Sequence, residues 1–217
     1  MERRDMIRGL AAFGAMAFMP EISARENRQT NQLHFVGLGQ GGTNAVTYLQ
    51  GKGIIGKYTC ITGSYVSHLS PETKHIFYEA PRDFRLNGAN YMKSIALTTE
   101  MKNLLAQNDK FIVLTGLGGA AGTGLISSVL EYLQIQHKNY MAFCSMPFYN
   151  EGRSKNSFAL AKRSELKENR NIHFIDQNLL LEKFGKLTVR EAFAKVNEQY
   201  YQLFMKYSNH FLEPDVN

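Results

Sequence analysis

Two stretches of this sequence set glycines where the backbone itself could do chemistry. Residues 37–46 read GLGQGGTNAV directly after the apolar run Leu33, Phe35 and Val36, and residues 115–124 read TGLGGAAGTG after FIVL. With no side chains in the way, backbone N–H groups can close on phosphate oxygens, and a following helix adds its positive end. Gly37, Gly39 and Gly42 spell G-x-G-x-x-G, which alone suits a dinucleotide, a mononucleotide or a tight turn with no ligand. A dinucleotide site needs an acid roughly 20 positions on to hold a ribose hydroxyl. No Asp or Glu occurs between Gly42 and Glu72, so that partner is missing. A nicotinamide-dependent oxidoreductase also lacks a usable proton donor, because Tyr48 and Lys52 form Y-x-x-x-K inside the first helix. A P-loop requires G-x-x-x-x-G-K-[ST], whereas this loop continues Thr43-Asn44. Two strand–glycine-loop–helix units, about 80 residues apart, can instead converge on one polyphosphate from one edge of a parallel sheet.

The elements around these loops alternate. LHFVGLG reads as a strand, TNAVTYLQGKG as a short helix ending at Gly51 or Gly53, and KYTCITG as a second strand. Residues 64–91 carry turn residues and little periodicity, and read as a long surface loop. SIALTTEMKNLLAQN is amphipathic, with Ile95, Met101, Leu104 and Leu105 on one side. KFIVLTG, YMAFCSMPF and NIHFIDQN read as strands; LISSVLEYLQIQ, SKNSFALAKRSELKEN and TVREAFAKVNEQYYQLFMKYSNHF read as helices. The pattern predicts an α/β, three-layer, Rossmann-like parallel sheet with helices on both faces. The expected organisation is an N-terminal segment 1–26, one nucleotide-binding domain 27–208 and a flexible tail 209–217.

With 25 Lys and Arg against 19 Asp and Glu, the chain carries a net charge of +6 without a long basic run. That surplus suits a solvated surface or an anionic ligand and does not indicate nucleic acid. Cys60 and Cys144 lie in apolar runs and share no metal-ligand spacing, so they read as small buried hydrophobes and no metal site is expected. The first residues, MERRDMIRGLAAFGAMAFMPEISARE, admit two readings. Arg3-Arg4, Arg8 and the apolar Gly9–Met19 resemble a twin-arginine export signal. Equally, they suit a short helix docked on the domain or on a membrane surface, which leaves the protein cytoplasmic. Eleven apolar residues are too few for a helical membrane span, which needs about 20.

In order and approximate spacing, residues 33–205 resemble the tubulin/FtsZ GTPases. GLGQGGTNAV is similar to the first FtsZ loop G-x-G-G-G-G-x-N-A-V, with Gln40 in place of a glycine. TGLGGAAGTG is similar to A-G-M-G-G-G-T-G-T-G, with Ala120 and Ala121 replacing Gly and Thr. NGANY resembles a G-A-N-P stretch that senses the γ-phosphate, and MPFYNEGRSK resembles the ribose loop K-P-F-x-F-E-G-K-K-R. FIDQNLLL resembles I-P-N-D-x-L-L, with Gln177 and Asn178 replacing Asn-Asp, and REAFAKVNEQ resembles D-A-F-x-x-A-N-D.

The resemblance implies GTP or GDP as ligand, with Mg2+ as a companion ion. Gly39, Gln40, Gly41 and Asn44 would meet the α/β-phosphates or position their loop. Gly118, Gly119, Gly122 and Thr123 would cradle the β/γ-phosphates. Glu151 would bond the ribose, and Lys155 would face phosphate without the bidentate fork of arginine. Phe193 would stack on guanine, with Asn197 and Glu198 reading its edge; Glu198 stands where the family has Asp. Family enzymes position the attacking water with an N-x-D-x-x-D loop of a second domain. This sequence ends about 20 residues past Phe193, and Glu213 and Asp215 have a different spacing. The resemblance therefore implies a nucleotide binder with little or no hydrolysis, self-associating or joining the filaments of an FtsZ-like partner. The alternative is a non-enzymatic interaction protein of the same fold that has lost its nucleotide, in keeping with Ala120-Ala121 and the twin arginine.

Overall fold

The computed structural model describes residues 33–64, 66, 69–80 and 94–212. Both readings of the N-terminal segment, and the NGANY stretch, lie outside the described residues. Six parallel strands form one sheet in the order β3-β2-β1-β4-β5-β6. They are β1 (Leu33–Leu38), β2 (Lys57–Thr62), β3 (Lys74–Phe77), β4 (Lys110–Gly116), β5 (Asn139–Met146) and β6 (Ile172–Asp176). The helices are α1 (Gly39–Gly51), α2 (Thr99–Ala106), α3 (Ala120–Ile135), α4 (Arg153–Leu166), α5 (Gln177–Phe184) and α6 (Val189–Leu212).

The central strands are apolar along their whole length because helices cover both faces. Alternation along β1 shows it: Leu33 and Phe35 join one core with Val46, Leu49, Tyr200 and Phe204, while Val36 and Leu38 join the other with Met101, Leu105, Leu125 and Val129. Thus α1, α5 and α6 lie on one face, and α2, α3 and α4 on the other. The long α6 buries Ala192, Val196, Tyr200, Phe204 and Ser208, one residue in every four, as a single stripe against the sheet. Cys60 and Cys144 are both buried and unpaired. Burial pushes their thiols up to about 11 and about 12.

Two elements depart from the sequence expectations. The stretch read as a long loop contains β3, a parallel edge strand on which only Ile76 is buried, so its apolar signal is faint. The strand expected to run to Asn178 stops at Asp176, whose carboxylate accepts from the Asn178 N–H at 3.0 Å and starts α5. The last helix, expected over residues 188–211, spans Val189–Leu212. No helix among the described residues is long and apolar enough to cross a membrane.

Candidate functional site

Strand order reverses between β1 and β4, and the crevice beyond the carboxyl ends of strands at such a point is where open α/β sheets bind ligands. A cavity of about 770 Å3 lies there. Gly39, Gln40, Gly41 and Asn44 of α1 form one wall, and Gly116, Gly119, Ala120, Ala121 and Gly122 form the next. Glu151 and Lys155 close a third side, and Phe193, Val196, Asn197 and Tyr200 of α6 a fourth. Thr62, Gly63, Ser64, Tyr78, Glu79 and Ala80, at the ends of β2 and β3, complete the rim. Ten of the thirteen residues proposed from the sequence line this one space; Gly118, Thr123 and Glu198 do not.

The glycines divide into two kinds. At Gly42 a Cβ would stand 2.1 Å from the Leu114 carbonyl oxygen, and at Gly37 it would stand 2.7 Å from the Gly42 oxygen. These residues let α1 sink onto β1 and β4, which brings its first turn to the crevice. A Cβ on Gly41 would stand 3.0 Å from the Gly116 backbone, so the space beside it is filled by the protein's own chain. Gly118, at φ +93, turns the second loop, and a Cβ there would stand 3.0 Å from the Lys155 carbonyl oxygen. A Cβ on Gly119, by contrast, would meet nothing within 4 Å. Thr123 is fully buried, and its hydroxyl accepts from the Gly118 N–H at 2.8 Å. It holds the second loop from behind rather than facing the cavity.

The loop between β5 and α4 is held from both sides. The Asn156 amide donates to the carbonyls of Phe148, Tyr149 and Gly152, and the Asn178 carbonyl accepts from the Tyr149 N–H. Glu151 is thereby fixed: one carboxylate oxygen accepts from the Phe148 N–H at 2.9 Å, and the other pairs with Lys155 at 3.2 Å. Phe193 is 41% exposed and stands edge-on to Phe148, with ring centroids 5.7 Å apart. The floor is Tyr200, whose hydroxyl donates to the Thr115 carbonyl at 2.5 Å and accepts from the Ser145 N–H at 3.2 Å.

Two features of the site were not legible in the sequence. Gln177 lines the cavity, is 5% exposed, and its side-chain oxygen has no partner. Its place in FIDQNLLL, where it replaces the first residue of the family's Asn-Asp pair, was the available signal. Glu198, expected at the base edge, instead accepts a hydrogen bond from the Tyr48 hydroxyl and lies 3.8 Å from the Lys52 ammonium. The Tyr48 bond, chiefly, holds its carboxyl below the usual range, so it is an anion.

Comparison with known proteins agrees with this architecture. A model described as "Tubulin/FtsZ family, GTPase domain" matches residues 87–186. Cell division protein FtsZ 1 of Halobacterium salinarum is 30% identical over 179 residues, which cover 79% of this chain and 45% of that protein. Among solved structures, an empty FtsZ dimer from M. jannaschii superposes with a TM-score of 0.68 at 19% identity, over 91% of this chain and 60% of that one. A GTPγS-bound protofilament of CetZ2 from Haloferax volcanii gives 0.62 at 16% identity, over 85% and 60%. The chain spans about half the length of the curated relatives it matches. With its six-stranded parallel sheet, its two glycine loops and these matches, the chain belongs to the tubulin/FtsZ family through its GTPase domain.

Proposed function

We propose that the cavity binds GDP or GTP, with the phosphates on the two glycine loops, the ribose at Glu151 and the base beside Phe193 and Asn197. The observation that carries this reading is the state of the helix starts. Helices α2, α5 and α6 are capped by their own side chains, through Thr98, Asp176 and the reciprocal Thr188–Glu191 pair. Helices α1 and α3, which open on the cavity, have no side-chain cap and no acid in the first turn. Their first N–H groups lack intrahelical partners, and their positive ends face one space. Helix α4 likewise has no side-chain cap, and its first turn brings Lys155, paired with Glu151, to the same cavity. An anion seated between the three offsets all of these at once. The volume falls within the roughly 300–1,000 Å3 typical of ligand sites.

Among the described residues no group of three or more His, Cys, Asp or Glu could hold a metal, so Mg2+ would travel on the phosphates. The described carboxylates of the cavity wall are Glu79 and Glu151, and Glu151 is already committed to Phe148 and Lys155. Neither is a preorganised pair for orienting water, so the domain alone turns GTP over slowly, and a neighbouring subunit supplies what is missing. Association with an FtsZ-like filament partner that carries the N-x-D-x-x-D loop is the setting in which it would do so.

The test is calorimetry with GDP on the protein and on Gly119→Val. Gly119 has extended backbone and open space at its Cβ, so valine is tolerated by the fold but intrudes on the phosphates. The variant should melt as the parent does and lose GDP affinity by roughly tenfold or more. Unchanged affinity would move the phosphates elsewhere. Absence of GDP binding by the parent at millimolar ligand would favour an interaction protein that keeps the fold without the nucleotide.

A further inference from the structure

The Y-x-x-x-K pair of the first helix has no part in the site as drawn so far. Tyr48 and Lys52 both converge on Glu198, 150 residues away from Tyr48 in sequence. With Asn44, Thr47, Gly51 and Asn197 they line a groove beside α1, and Asn44 and Asn197 border both this groove and the main cavity. A carboxylate at a base edge has a particular value: its two oxygens can accept from the ring N–H and the exocyclic 2-amino group of guanine together. Here one of those oxygens is already taken by a phenol from within the chain. The side-chain amides on the cavity wall are those of Gln40, Asn44, Asn197 and Gln177, and the Gln40 amide donates to the Asn44 oxygen at 3.1 Å. The Gln177 oxygen is a buried acceptor in want of a donor, and a ring N–H supplies one. An amide can match the ring N–H or the 6-oxo group but offers no paired acceptor for the 2-amino group.

We infer that the site accepts 6-oxopurine nucleotides with or without a 2-amino group, and that Tyr48 sets this selectivity by holding Glu198 away from the base. The inference rests on the nucleotide reading above and deepens it. Tyr48 acts through Glu198, so it is a positioning residue. Once the phenol is removed, only the Lys52 pair restrains the carboxylate. Both partners of that pair are about a third or more exposed, and such surface pairs are weak.

The experiment compares GDP with IDP, which lacks only the 2-amino group, by calorimetry. The parent should bind the two within about threefold, as for a wall that gains no bond to the amine. Tyr48→Phe should favour GDP over IDP by roughly tenfold or more, the worth of a hydrogen bond to a charged acceptor. Tyr48→Phe combined with Glu198→Gln should return the ratio to about threefold, a rescue that a merely structural role for Tyr48 does not produce. A parent that already prefers GDP by more than about tenfold, or a ratio unmoved by Tyr48→Phe, would overturn the assignment while leaving nucleotide binding intact. Failure of the parent to bind either nucleotide would overturn the nucleotide reading and the selectivity with it.

Discussion

Acid should weaken this fold through one residue far from the cavity. His34 lies on β1 and is 4% exposed. Its Nε2 meets the Thr59 hydroxyl at 2.8 Å, and its Nδ1 meets the Asn108 amide nitrogen at 2.9 Å. The Asn108 oxygen accepts from the Lys57 ammonium, so the amide presents its N–H to the ring, and Nδ1 must be an acceptor. A second ring proton would face that N–H with no acceptor nearby. Burial first, then the charges of Lys57 and Lys74, lowers the imidazole from 6.5 to about 4. The folded-state value is depressed, so protons bind the unfolded chain more tightly. The stability this residue confers is complete above pH 6.5 and is lost as pH falls from there toward 4. Each pH unit in that window costs up to about 1.4 kcal/mol, and a total of roughly 2–3 kcal/mol is lost by pH 4.5. Urea unfolding at pH 7.5, 6.5, 5.5 and 4.5 measures it on the parent and on His34→Gln. The variant should be less stable at pH 7.5 but should lose roughly 2–3 kcal/mol less across the series. Parallel curves for the two proteins would refute the reasoning.

Tyr200→Phe removes a hydroxyl that joins α6 to β4 and β5, and it should cost about 1–3 kcal/mol in urea unfolding. Cys60 and Cys144, buried with thiols raised to about 11 and about 12, should react with a maleimide at pH 7.5 only after unfolding. For the N-terminal segment the docked-helix reading keeps the protein cytoplasmic, and the alternative, twin-arginine reading has Arg3 and Arg4 direct export. Replacing both with Lys should then keep the protein in the cytoplasm, and mass spectrometry that finds an intact Met1 on the parent would end the twin-arginine reading.

Local signals carried most of the fold. Each glycine loop could be read from its own ten residues, because strand, turn and helix start are adjacent in the chain. Strand β3 was hidden because an edge strand buries little: of KHIF only Ile76 faces the core. Helix α5 was hidden because it follows β6 without a loop, Asp176 being both the strand's last residue and the helix cap. The site divides along the same line. Residues set by their own loop, such as Gln40, Gly119 and Glu151, line the cavity. The partner of Glu198 is Tyr48, on a different helix, and no periodicity within α6 could announce it. The glycines themselves look alike as letters, yet Gly41 faces backbone and Gly119 faces open space.

That last contrast bears on how such a chain would drift over generations. A side chain at Gly37, Gly42 or Gly122 would strike backbone at 2.7, 2.1 and 2.9 Å respectively, whatever the cavity holds. Selection for a folded protein alone is enough to keep them. A descendant that had abandoned its ligand would still display most of the glycine signature, as a relic of packing. Gly119 is under no such obligation, and a bulky residue there would be the first visible trace of the loss.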